Sequence, residues 1–287
     1  MSVFQLKIIA MATMICDHMG WWLYLEGLID SGLYTLMRSI GRMAFPIFAF
    51  LIANGYTHTR DRGRYLTRLM AFAAISQIPF VLVFTASNYS ASISGPVGFS
   101  LPGWGYTALA AAVGLCWYLA VRRDLTALIP PTALILGMTW LSLGEAYILR
   151  PDMNVFYTLA YSLAIICVLD KFFGSQRPER RDYVQAAGLM LALHVIWDRA
   201  DYGLDGILLI VLLWFFRESR LRQAAMLILW CLLHYPPGSS NTAYFICAAL
   251  SVLPLMLYNG RAGKNMKTAF YLVYPLHLSV LGIIALC

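Results

Sequence analysis

Charge is scarce in this chain. Only 12% of its 287 residues are Asp, Glu, Lys or Arg, and 60% are apolar. Soluble domains carry roughly twice that share of charge, so the composition excludes an ordinary soluble fold and points to a membrane protein. Other absences narrow the reading. No GxGxxG or GxxxxGK[ST] stretch marks a nucleotide-binding loop, and no HExxH or paired CxxC marks a metal site. The six cysteines lie in or near apolar runs, where a thiol behaves as a small hydrophobe, so they are read as packing groups and no metal is expected. No basic leader with a small-residue cleavage site precedes the first apolar run, which is therefore read as a retained span. There is no internal repeat and no long polar segment, so the expectation is one membrane domain, 1–287. The net charge of +7 does not call for nucleic acid, because basic loops that set membrane orientation account for it.

What is present is a succession of apolar segments near 4–25, 33–54, 65–86, 104–121, 125–148, 154–170, 183–200, 203–217, 223–238, 241–258 and 268–287. Their length suits tilted transmembrane helices. The expected fold is all-α, a polytopic bundle of about eleven spans. Sixteen of the 21 Lys and Arg follow even-numbered spans, and only Arg150 and Arg199 sit in the alternate loops. The positive-inside rule then puts the N-terminus in the cytoplasm and the C-terminus outside, in a bacterial inner membrane. The loop at 87–103 is rich in Ser, Gly and Pro and is read as irregular.

The first span, LKIIAMATMICDHMG at 6–20, carries Lys7, Asp17 and His18. Ionisable groups inside a span are costly and mark functional sites. Lys7 and His18 differ by only about 20° around a helix and are separated by roughly 16 Å along it. A cation at one end and an imidazole at the other suit an elongated ligand. Asp17 and His18 diverge by about 100° and do not form a dyad with each other, so Asp17 is read as a partner for a neighbouring helix or for Arg42. Arg38 and Arg42 lie one turn apart at the depth of His18, and His194, Asp198, His234 and His277 also fall at membrane level. Pro46 and Pro275 are read as breaking spans two and eleven. Asp201 and Asp205, with Asp198, give the outer mouth an acidic character suited to a cationic amine. His58 is read as solvated. At the opposite end, Lys7, Arg60, Arg64, Arg68, Arg261 and Lys264 could clasp the phosphates of a nucleotide, or could act only as topogenic charge beside acidic lipid.

Several stretches resemble the TraX family of conjugal-transfer proteins, whose name-giving member acetylates the N-terminus of pilin. They are LKIIAMATMICDHMG, IGRMAFPIFAFLIANGYTHTRDRGRYLTRLMAFAAISQIPF, NVFYTL, DYGLDGILLI and LYNGRAGKNMKTAFYLVYPLHL, and the similarity they carry extends over nearly the whole chain. The spacing from Lys7 to His18 is also similar to the first-span motif of the acyltransferase 3 proteins. The arginine pair is a looser echo, with three residues between Arg38 and Arg42 where that family has two. Gln77 stands where TraX members often carry an acidic residue.

The resemblance implies a membrane acetyltransferase that takes acetyl-CoA from the cytoplasm and an acceptor amine or hydroxyl from the outer side: a peptide or pilin N-terminus, or an amino sugar. In that scheme His18 is general base or covalent acetyl carrier. Arg42 with Arg38 stabilises an oxyanion. His277 and Asn54 orient the ligand, and His194, Asp198 and Asp201 receive the acceptor. Two other classes remain open: a proton-coupled transporter or flippase, in which the buried ionisable groups form a relay, and a non-catalytic pilus assembly factor.

Overall fold

The computed structural model describes residues 1–90, 153–173, 201–238 and 241–284. Every regular element among them is a helix, and three helical stretches, Val3–Leu25, Ser31–His58 and Val155–Phe173, are long and apolar enough to cross a membrane. The expected spans at 104–121, 125–148 and 183–200 lie outside the described residues, as do His194 and Asp198. The chain forms two compact units, one made of 1–58 and 208–287, the other of 59–207.

In the first unit, α1 (Val3–Leu25) opens on a capping box. Ser2 Oγ accepts from the Gln5 backbone N–H while Gln5 Oε1 accepts from the Ser2 N–H. Met1 and the first turn of α1 are stitched to the 257–263 loop: Asn259 N–H donates to the Met1 carbonyl (2.8 Å), Val3 N–H to the Arg261 carbonyl (2.9 Å) and Phe4 N–H to the Ala262 carbonyl (3.1 Å). Gly263 makes this approach possible. Its φ of 71° suits a residue without Cβ, and a side chain there would meet Phe4 Cβ at 2.9 Å.

The helix α2 (Ser31–Gly41), capped by Asp30 Oδ1 on the Leu33 N–H, packs antiparallel to α1. Two glycines allow the close approach: Gly20 lies against Met37, and Gly41 against Asp17. The expected second span is two helices, α2 and α3 (Ala44–His58), with the break at Arg42 and Met43 rather than at Pro46 itself. Pro46 has no N–H for the carbonyl of Arg42, four residues back, and its ring crowds that oxygen, so the chain turns there. Pro46 then sits in the first turn of α3, where a missing donor costs nothing. Ala44 to Ala53 of α3 are all buried, which makes this helix the centre of the unit.

The rest of the unit is α6 (Gly203–Phe215, its first turn in the other unit), α7 (Arg220–His234), α8 (Thr242–Leu250), α9 (Val252–Met256) and α10 (Lys267–Ile284). The expected single span at 241–258 is split at Ser251, whose hydroxyl donates to the Ala248 carbonyl (2.6 Å). Pro275 does not break the last span: α10 runs on through it, although Pro275 has no N–H to offer the Tyr271 carbonyl. α10 lies parallel to α1, in contact from Lys7 and Phe270 at one end to His18 and His277 further along.

Among its described residues, the second unit is built on an antiparallel helix pair. α4 (Arg62–Ser90) and α5 (Val155–Phe173) are tied at one end by Arg62 Nη1 donating to Asp170 Oδ2 (2.8 Å). At the other end Asn154 Nδ2 donates to Gln77 Oε1 and to the Ala73 carbonyl, both at 2.8 Å. The two ties are about 22–24 Å apart along the helices. Positions 87–90, expected in an irregular loop, continue α4 instead.

Candidate functional site

His18 and His277 form the centre of the first unit's polar interior. His18 is 8% exposed, and its Nδ1 lies 2.7 Å from His277 Nε2. The rings are nearly parallel, with centroids 5.0 Å apart. Tyr274, one turn before His277 on α10, presents its ring edge-on to both imidazoles. His277 Nδ1 in turn lies 2.7 Å from the carbonyl of Val273. The sequence places both histidines at membrane level but gives no sign that they touch. That follows from α1 and α10 running side by side in the same direction.

Asp17 faces the other way, as the 100° step predicts. Its Oδ2 accepts from Arg38 Nη1 at 2.5 Å, and its Oδ1 lies 3.4 Å from Arg42 Nη2. All three side chains are largely buried. Arg38 also lies over the Trp21 ring at 5.3 Å and Arg42 over Tyr244 at 5.2 Å. One carboxylate between two guanidinium groups leaves an excess of one positive charge in a poorly solvated place. Such a site favours an approaching anion or a developing negative charge.

At the other end of α1, Lys7 is half-buried, with Nζ 4.4 Å from the centroid of the Phe270 ring. Arg261 and Lys264 are exposed on the loop that clasps the N-terminus. Asn54, expected to orient a ligand, donates from Nδ2 to the Tyr258 hydroxyl (3.2 Å). Arg220, which the sequence marks only as one of the loop cations that set orientation, lies at the same end. Its guanidinium carbon lies 4.9 Å from the Phe50 ring centroid and 4.8 Å from that of Tyr258, two rings that meet edge-on, and it donates to Gln223 Oε1. Gln223 is itself anchored by Nε2 on the Leu213 carbonyl (2.6 Å). The usable signal would have been Arg220 and Gln223 one turn apart at a helix start.

Arg60, Arg64 and Arg68 belong to the second unit. Arg60 is exposed, Arg64 pairs with Asp61 at 3.0 Å, and Arg68 lies over the Tyr65 ring. Asp201 and Asp205 are exposed at the start of α6, and the Asp201 N–H donates to the Met153 carbonyl. His234 stacks on Trp230 at 4.7 Å. His58 is exposed, with Nδ1 against Thr57 and the Asn54 carbonyl. Among the described residues no group of three or more His, Cys, Asp or Glu is placed to hold a metal ion.

Residues 2–95 and 127–285 match the family described as TraX protein. The chain is 27% identical over 204 residues to a protein named probable fimbrial assembly protein FimC, serogroup H1, of Dichelobacter nodosus. That similarity covers 66% of this chain and 80% of the relative. No solved structure matches the chain.

Proposed function

The chain belongs to the TraX family, and from that membership and the buried His18–His277 pair we propose that it is a multi-pass inner-membrane acetyltransferase. It moves an acetyl group from cytoplasmic acetyl-CoA to an amine, or a hydroxyl, on the outer side. A pilin or other peptide N-terminus is the preferred acceptor, since the relative is named for fimbrial assembly. The single observation that carries this reading is a histidine held by a second histidine inside an apolar bundle, roughly 16 Å along α1 from a cationic end. Lys7, Arg220, Arg261 and Lys264 offer cations to the phosphates of the donor. The site at His18 receives the thioester.

His18 accepts a proton from the acceptor as the acceptor's nitrogen forms a bond to the thioester carbonyl carbon. The excess charge of Arg38 and Arg42 favours the oxyanion that forms. Collapse of the adduct breaks the carbon–sulfur bond, and His18 passes its proton to the departing thiolate. In the covalent variant His18 itself bonds the acetyl carbon as the carbon–sulfur bond breaks and the thiolate leaves; the acceptor amine then displaces the imidazole, which takes up the amine's proton.

The test is thiol release from acetyl-CoA by the purified protein in liposomes, with a short peptide bearing a free N-terminus as acceptor. Wild type acetylates the peptide, and His18→Ala loses about 10²–10⁴-fold in rate while staying monodisperse. Activity near wild type in His18→Ala would sink the assignment. Exchange of acetyl between acetyl-CoA and labelled coenzyme A, without peptide, separates the covalent route from direct transfer. The pairing of Arg38 and Arg42 with Asp17 favours a second reading, a non-catalytic assembly factor in which these groups only hold helices together. It predicts a dispensable His18 and no acetylated peptide.

A further inference from the structure

We infer that His277 is a positioning residue that fixes the tautomer of His18, so that Nε2 of His18 is the nitrogen that takes the proton or the acetyl group. The Val273 carbonyl can only accept a hydrogen bond. His277 Nδ1, 2.7 Å from that oxygen, therefore carries the hydrogen. A neutral imidazole has one N–H, so His277 Nε2 is an acceptor. It lies 2.7 Å from His18 Nδ1, which must then donate to it. The unprotonated nitrogen of His18 is Nε2. A doubly protonated His277 would reverse this assignment. It would also add a second buried positive charge near the one already in excess at Arg38 and Arg42, which the apolar surroundings disfavour.

The anchor is built into α10. Val273 is four residues before His277, so the side-chain bond runs back along one helical turn and fixes the ring. The near-parallel rings and the edge of Tyr274 keep the two imidazoles in register. Tautomer choice matters because only an unprotonated ring nitrogen can accept a proton or an acyl group. Once Nε2 is charged, the Nδ1–H bond to His277 spreads and stabilises the imidazolium.

The functional half of this inference rests on the acetyltransferase reading, whereas the tautomer does not, and the test separates them. The full-length protein in micelles, with ¹⁵N-labelled histidine and with His58, His194 and His234 replaced by Gln, gives spectra of the two remaining imidazoles. His18→Gln assigns them. The expected result is a pyrrole-type Nδ1 and a pyridine-type Nε2 for His18. The same pattern persists in His277→Gln, whose amide oxygen can still accept, and becomes mixed in His277→Leu. An Nε2–H tautomer for His18 in the unaltered pair overturns the inference. In the acetyl-CoA and peptide assay, His277→Leu lowers kcat about 10²-fold with little change in KM, and His277→Gln recovers most of the loss. Equal losses in Leu and Gln variants would reduce His277 to a packing residue. Wild type without thiol release defeats the acetyltransferase reading, while the spectra still decide the tautomer.

Discussion

Gly41 of α2 rests directly on the Asp17 carboxylate of α1: a Cβ at position 41 would overlap Asp17 Cβ, Cγ and Oδ1. The glycine therefore sets how closely α2 approaches α1, and with it the distance from Asp17 to Arg38 and Arg42. Gly41→Ala must push the helices apart or turn the carboxylate away. Overpacking of this kind costs about 1–3 kcal/mol, and loosening the buried ion pairs adds to it. Thermal unfolding in detergent should show a clear fall in Tm for Gly41→Ala. Gly63→Ala is the control, because its new Cβ would meet only Asp61 Oδ1, at 3.5 Å. Equal stability of the two variants would mean that Gly41 is not a close-approach residue.

Much of this arrangement was legible in the sequence, and the reasons differ by residue. Lys7 and His18 share a face because helical periodicity fixes their angle once the apolar run is read as a helix. The separation of Asp17 from His18 follows from the same geometry, and the structure gives each a different partner helix. The meeting of His18 with His277 was not legible, because it depends on two helices 259 positions apart lying parallel. Proline effects were legible only in part. Pro46 and Pro275 each remove a donor, but the chain breaks where a turn can follow, at Arg42 and Met43, and passes straight through at Pro275.

Gln77 ties the two helices of the second unit together at one end. Its Oε1 accepts from both the backbone N–H of Asn154 (3.2 Å) and Asn154 Nδ2 (2.8 Å), which pins the start of α5 to α4. Two donors meeting one oxygen need an acceptor, and an amide oxygen or a carboxylate serves equally in that respect. Gln77→Leu leaves both donors without this partner and should cost about 1–3 kcal/mol in unfolding free energy. Gln77→Glu keeps the acceptor but adds a partly buried charge, so its Tm should fall between those of wild type and Gln77→Leu. A Glu variant less stable than the Leu variant would show that the charge, not the acceptor, governs this contact.

Arg220 supplies the sharpest test of where the donor's phosphates bind. Phe50 and Tyr258 form an aromatic corner against its guanidinium, and Gln223 takes one of its N–H groups, so the fork is held before any anion arrives. A rigid guanidinium loses less freedom on binding than a mobile lysine, and Lys cannot reproduce its planar stacking. A hydrogen bond to a charged group contributes about 1.5–3 kcal/mol, so Arg220→Ala should raise KM for acetyl-CoA by about tenfold or more. The chemistry at His18 lies far along α1, so kcat should change little, and Arg220→Lys should resemble Arg220→Ala more than wild type. Arg261→Ala and Lys264→Ala remove exposed charges, whose smaller effects on KM should fade as salt is raised, because solvated charges are screened. If Arg220→Ala lowers Tm without moving KM, the guanidinium is a packing group against two rings and the phosphates bind elsewhere.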